Sequence, residues 1–175
     1  MEHFTSLITA RRSTRKFTDE PLSPEQAELI LKAALMAPTS KSAFSWQFVA
    51  VEDKYMLKKL AGCKSTGAAF IEHCALAVVA AGDRFKSDAW IEDASIASIY
   101  MQLQAEDLGL GSCWCQIRNR QTGDGTDAEQ YVRELLDIPE SFGIVSILAF
   151  GHKDQVRKPF DEAHLLWENV HTGSW

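Results

Sequence analysis

Apolar and polar positions recur with several distinct periods along the chain. Phe4, Leu7 and Ile8 fall at i, i+3, i+4, which predicts a short amphipathic helix over 3–11. Ser23-Pro24-Glu25-Gln26 is a capping box with proline at the first helical position, so a second helix starts there. Leu29, Ile30, Ala33 and Ala34 form its buried stripe, and it should end before Pro38. Trp46 to Val51 reads as a strand. Residues 53–61 predict a helix closed by Gly62, and 66–73 a shorter one. Ala75 to Ala81 is an unbroken apolar run, as expected of a strand covered on both faces.

Residues 88–108 form the longest helical candidate, with Asp88, Glu92 and Asp93 at the end where the helix dipole favours negative charge. Residues 94–105 carry no charge. Such a helix must run through the centre of the domain or pack against a second copy. Gly109 and Gly111 stop it, and Ser112 to Ile117 can form a strand. Gln121 to Thr126 is a polar loop, 127–137 a helix, and Phe142 to Phe150 a strong strand. A last helical stretch is expected around Glu162 to Trp167. Strands and helices intermix with no linker between them, so the class is α+β or α/β in one domain spanning 1–175.

Composition narrows the function. The net charge of −6 argues against a general nucleic-acid or membrane-surface binder. No stretch reaches the roughly 20 apolar residues of a membrane span, and the N-terminus lacks an apolar signal core, so the cytoplasm is the expected compartment. Cys63, Cys74, Cys113 and Cys115 are too few for a disulfide framework in a chain of this size. They read as small apolar fillers, with a redox pair at Cys113 and Cys115 as the alternative. That pair is expected to point to opposite faces of its strand, which disfavours bridging. Gly109-Leu110-Gly111 follows a helix and has Trp114 where a dinucleotide fingerprint needs glycine. The five histidines have no metal-ligand spacing, and no serine-hydrolase elbow occurs.

The surviving signal is basic. Arg11-Arg12-Ser13-Thr14-Arg15-Lys16 gathers four of the 18 Lys and Arg residues into six positions of an acidic chain. Guanidinium forks and a serine hydroxyl suit phosphate oxygens, so the cluster is a candidate anion clamp. Arg157 and Lys158 could add to it. Ala37-Pro38-Thr39-Ser40-Lys41-Ser42 is a hydroxyl-rich loop able to hydrogen-bond a flat polar ligand, and Trp46 and Trp114 could flank one.

Taken in order, a short helix, R-R-S-x-R-x-F, a capped helix, A-P-[ST], W-x-F-V-x-V, a long neutral helix ending in L-G-L-G-x-C-W, and a strand into G-H resemble the nitroreductase family from about Phe4 to Trp167. These are small FMN-dependent NAD(P)H oxidoreductases. The resemblance implies an α+β three-layer sandwich with a mostly antiparallel central sheet. It also implies a homodimer formed through the long helix, with FMN at each subunit junction. Arg11 and Ser13 then match the residues holding the flavin phosphate and ribityl chain, with Arg12 alongside and Arg15 reaching the ring. Pro38, Thr39, Ser40 and Ser42 match a loop laid against the ring from the partner subunit. Trp114, Cys115, Gln116 and Ile117 match the strand beside its reactive nitrogen, and Arg157, then Lys158, the basic residue closing on the phosphate.

The chain departs from the family at Ser42, Phe44 and Ser45, where Asn, Gln and Pro are usual. The implied activity is electron transfer from NAD(P)H to nitroaromatic, quinone or similar small acceptors by a ping-pong mechanism, with the chemistry carried by FMN. The alternatives are a relative that sequesters or modifies flavin, a module gripping a phosphorylated partner, and a thiol-redox role for Cys113 and Cys115.

Overall fold

A computed structural model describes residues 4–175. The first helix, α1, spans Phe4–Ala10, so the expected start at His3 lies outside the described residues. The second, α2 (Pro24–Leu35), begins with Ser23 accepting from the Gln26 N–H at 3.1 Å while the Gln26 side chain accepts from the Ser23 N–H at 2.9 Å. That reciprocal pair satisfies two donors that a bare helix start would leave open. Strand β1 (Trp46–Val51) is followed by α3 (Lys54–Ala61), whose N-cap is Asp53. A 3-10 turn over Ala69–His73 leads into β2 (Leu76–Asp83). The long helix α4 (Trp90–Asp107), β3 (Gly111–Gln116), α5 (Ala128–Leu136) and β4 (Phe142–Gly151) complete the core.

The four strands form one antiparallel sheet in the order β1-β2-β4-β3. The inner strands β2 and β4 are the near-continuous apolar runs, because both of their faces are covered. Strand alternation sends Val79 and Ile147 to one side, where Leu57, Leu60 and Val132 of α3 and α5 meet them. Val78 and Leu148 go to the other side, against Ile30 of α2 and Met101 of α4. The result is the three-layer α+β sandwich that the sequence resemblance implied.

Helix α4 resolves the puzzle of its missing charge. Ala94, Ala97, Ser98, Met101 and Ala105 face the sheet, whereas Ile96, Ile99 and Tyr100 are exposed on its outer side. A tail follows β4 with two 3-10 turns, Glu162–His164 and Trp167–Asn169, in place of the single helical stretch expected there. It leaves Trp167 71% exposed and Leu166 and Val170 open. None of the described helices is long and apolar enough to cross a membrane.

Candidate functional site

The basic segment is pinned to the edge of the sheet by its own main chain. Ser13 bridges Ser112 in parallel, and the Thr14 N–H donates to the Ser112 carbonyl at 2.9 Å. Phe17 bridges Lys153, and the Asp154 N–H donates to the Lys16 carbonyl at 3.0 Å. The segment is therefore extended, and extended chain sends alternate side chains to opposite sides.

That alternation divides the arginine cluster. Arg12 and Thr14 line a cavity of about 690 Å³ together with Glu106, Lys153, Asp154 and Arg157. Arg12 also shares a neighbouring groove with Arg157 and Lys158. Arg11, Ser13 and Arg15 gather instead about Cys113. Burial pushes the Cys113 thiol above its ordinary pKa, while the positive charges of Arg15 and Arg11 and a hydrogen bond with Ser13 pull the other way.

Three cations thus face two carboxylates in the larger cavity, and one carboxylate is already engaged. Lys153 Nζ lies 2.7 Å from Glu106 Oε1. The remaining balance is positive and open to solvent, which suits a phosphate ester. Lys153 and Glu106 were not singled out from the sequence. They lie 47 positions apart, and no local pattern marks such a pair.

Strand β3 is an edge strand. The outward Ser112 carbonyl shows which main-chain groups face away from β4, and strand alternation puts those of Trp114 and Gln116 on the same open edge. Trp114 is half-buried on the α4 side, and its indole N–H donates to Gln116 Oε1 at 3.0 Å. The Gln116 amide in turn donates to the Arg118 carbonyl at 3.0 Å. Cys115 and Ile117 are buried among the α3 and α5 side chains, so their side chains do not reach the open side with Trp114.

Cys113 and Cys115 share one face, which corrects the expectation that they point apart: two residues are a full strand period. All four cysteines are free and buried. The hydrogen bond between the Cys63 and Cys115 thiols, together with burial, pushes Cys63 up. Burial pushes Cys74 up to about 12.

Pro38, Thr39, Ser40 and Ser42 do not meet the arginines within one chain. Their loop leads into β1, at the sheet edge opposite β3. It is tied to the start of α4, where the Ser40 N–H donates to Asp93 Oδ1 at 2.8 Å and the Ser45 hydroxyl to Asp93 Oδ2 at 3.3 Å. Glu106, beside Arg12, sits thirteen residues further along the helix, about 20 Å away. Asp93 is a further residue the sequence reading missed in this role. The residue is 2% exposed, and its carboxylate works across 53 positions.

The nitroreductase family model matches residues 8–78 and 63–152. A structure described as an FMN-dependent nitroreductase from Clostridium difficile R20291 superposes with a TM-score of 0.95 at 41% identity, covering 98% of this chain and 99% of that one. An Archaeoglobus fulgidus protein, named as a candidate NADH dehydrogenase/NAD(P)H nitroreductase, is 33% identical over the full length of both chains. The NADPH:FMN oxidoreductase of Vibrio harveyi, solved in complex with NAD+, superposes with a TM-score of 0.80 at 26% identity, covering 98% of this chain and 77% of that one. The extended arginine segment on an edge strand, the layered sheet and these matches lead to one assignment: the chain belongs to the nitroreductase family.

Proposed function

We propose that the chain is an NAD(P)H-dependent flavin oxidoreductase, one FMN-binding domain over 1–175 that works as a homodimer with a flavin at each junction. The observation that carries this reading is the pinned Arg11–Arg15 segment, which holds Arg11, Ser13 and Arg15 together beside the edge strand β3. Two guanidinium forks and a hydroxyl suit the phosphate tail of FMN. The names of the relatives from Clostridium difficile and Vibrio harveyi support the same cofactor.

Arg11 and Ser13 would hold the phosphate and ribityl chain, and Arg12, Arg157 and Lys158, on the other side of the extended segment, would add to the positive field around it. Arg15 places positive charge where the ring gathers electrons, which raises its affinity for them. Trp114 and Gln116 would present main-chain groups at the β3 edge to the ring, whereas Cys115 pairs with β4 and the Ile117 N–H is engaged by the Val145 carbonyl, so these two support the strand from behind. When bound, FMN supplies the two-electron chemistry: NAD(P)H gives a hydride, and the acceptor leaves with two electrons and two protons. For a quinone the balance is NAD(P)H, H+ and quinone giving NAD(P)+ and hydroquinone. Donor and acceptor occupy one site in turn, which is ping-pong kinetics. Nitroaromatics and quinones are the acceptor class.

What one copy leaves uncovered supports the dimer. Ile96, Ile99 and Tyr100 of α4, Phe4 and Ile8 of α1, and Leu35 and Met36 at the end of α2 are all exposed apolar side chains. A second copy related by a twofold axis would cover them. It would also bring Pro38, Thr39, Ser40 and Ser42 of one protomer to the arginines of its partner. Four reduced thiols suit a cytoplasmic setting.

The absorption spectrum of the purified protein with added FMN tests the cofactor, and NAD(P)H oxidation with menadione or nitrofurazone tests turnover. A colourless chain that ignores FMN would overturn the reading. A flavin reduced by NAD(P)H that no acceptor reoxidises would point to a flavin-sequestering or flavin-modifying relative.

A further inference from the structure

The loop between α2 and β1 concentrates backbone strain. Among the described residues, five non-glycine residues have positive φ and three are here: Lys41 at 52°, Ser42 at 52° and Phe44 at 47°. An aromatic residue in this region is a true outlier, and such strain persists only where surrounding structure enforces it. The enforcement is visible. Asp93 holds Ser40 and Ser45 on either side of the strained residues. The Phe44 N–H donates to Thr39 Oγ1 at 3.1 Å, and Lys86 Nζ donates to the Phe44 carbonyl at 3.2 Å. Both main-chain polar groups of Phe44 are thus engaged, which sets the direction of its ring.

Phe44 is 49% exposed within one protomer, so burial in its own chain does not repay the strain. It stands edge-on to Trp46, with centroids 5.9 Å apart and planes at 78°. Trp46 is backed by Phe48 at 5.4 Å. The indole N–H of Trp46 is buried without a hydrogen-bond partner, so this row is built on ring packing at the expense of a polar contact. The row ends in an aromatic face that is rigid, apolar and open.

We propose that Phe44 is a specificity-determining residue whose ring stacks on the second reactant, biasing the site towards flat aromatic acceptors. This rests on the flavin reading above, in which the loop lies over the partner's cofactor. Offset stacking on a planar ring adds to simple burial, while a compact inorganic oxidant gains nothing from it. Polar Gln, usual in the family at this position, lacks such a face.

The test uses the FMN-loaded protein with NADPH and two acceptors, menadione as a flat two-ring quinone and ferricyanide as a compact non-aromatic oxidant. Phe44→Gly removes the ring at a backbone angle that glycine adopts freely, so the variant keeps its fold. Phe44→Tyr keeps an aromatic face. The expected result for Phe44→Gly is a menadione KM raised about 3- to 10-fold. Its ferricyanide rate and FMN dissociation constant stay within about twofold, and Phe44→Tyr matches the parent on both acceptors. If Phe44→Gly slows both acceptors alike, or neither, the proposal is overturned while the flavin reading stands. A parent chain that takes up no FMN overturns both.

Discussion

Thr14 occupies the space that a β-carbon on Gly111 would need. A Cβ built there would lie 2.6 Å from Thr14 Cγ2 and 2.8 Å from Thr14 Cβ, closer than real side chains come. The basic segment can therefore press its main chain onto β3 only because position 111 carries no side chain.

Gly111→Ala should push Thr14 off the edge strand. Both residues are buried, so overpacking should cost about 1–3 kcal/mol, read as a lower urea midpoint. FMN affinity should fall in parallel because the arginines lose their mounting. Loss of stability with unchanged FMN affinity would mean that the segment does not carry the cofactor.

Arg11→Ala removes a charge-assisted contact to a phosphate and should weaken FMN binding roughly 10- to 100-fold, about 1.5–3 kcal/mol. Arg157→Ala should act in the same direction through the shared cavity with Arg12. Fluorescence titration of the apoprotein measures both. Affinity that stays level in both variants would place the phosphate elsewhere.

Ile99 is exposed in the middle of the apolar side of α4. Ile99→Glu buries a charge in the proposed interface and should shift sedimentation from dimer to monomer, with loss of bound flavin. The Ile99 side chain does not serve the core of its own protomer, so the monomer should retain its secondary structure. A parent chain that sediments as a monomer at micromolar concentration would remove the dimer.

The four thiols should be silent in the native state. All are buried, and Cys74 is held up to about 12, so at pH 8 it stays protonated. A thiol reagent should modify none of them in the folded protein and all four after unfolding in guanidinium. The sign for stability follows from linkage. For Cys74, above the ordinary thiol pKa the unfolded chain loses a proton that the native state keeps, so its contribution to stability falls as the pH rises from about 9 towards 12. Rapid modification of the native protein at pH 8 would mean that the core opens more readily than its packing implies.

Much of the fold was legible along the chain because local rules dominate there. The Ser23 to Gln26 box predicted the start of α2, and the β-rich run Trp46 to Val51 predicted β1 to the residue. Gly62 closes α3 as expected. The tail was less legible: its 3-10 turns lie on the surface, where no apolar periodicity is enforced. The site was legible as residue types but not as an arrangement. The partition of Arg11, Ser13 and Arg15 from Arg12 and Thr14 depends on the segment being extended against Ser112, nearly a hundred positions away.

Local pattern determined most of the segments that became helix or strand, that positive charge was concentrated near the start, and that the middle of α4, residues 94–105, carries no charge. Tertiary structure decided the rest. It paired Lys153 with Glu106 and Asp93 with Ser40 and Ser45. It put Cys115 against Cys63, and it left the 38–42 loop at the edge of the sheet away from the arginines. The physical reason is range. Helix and strand periodicity act over a few residues, whereas buried charge pairing and strand order are settled by which surfaces exclude water together, whatever their separation along the chain.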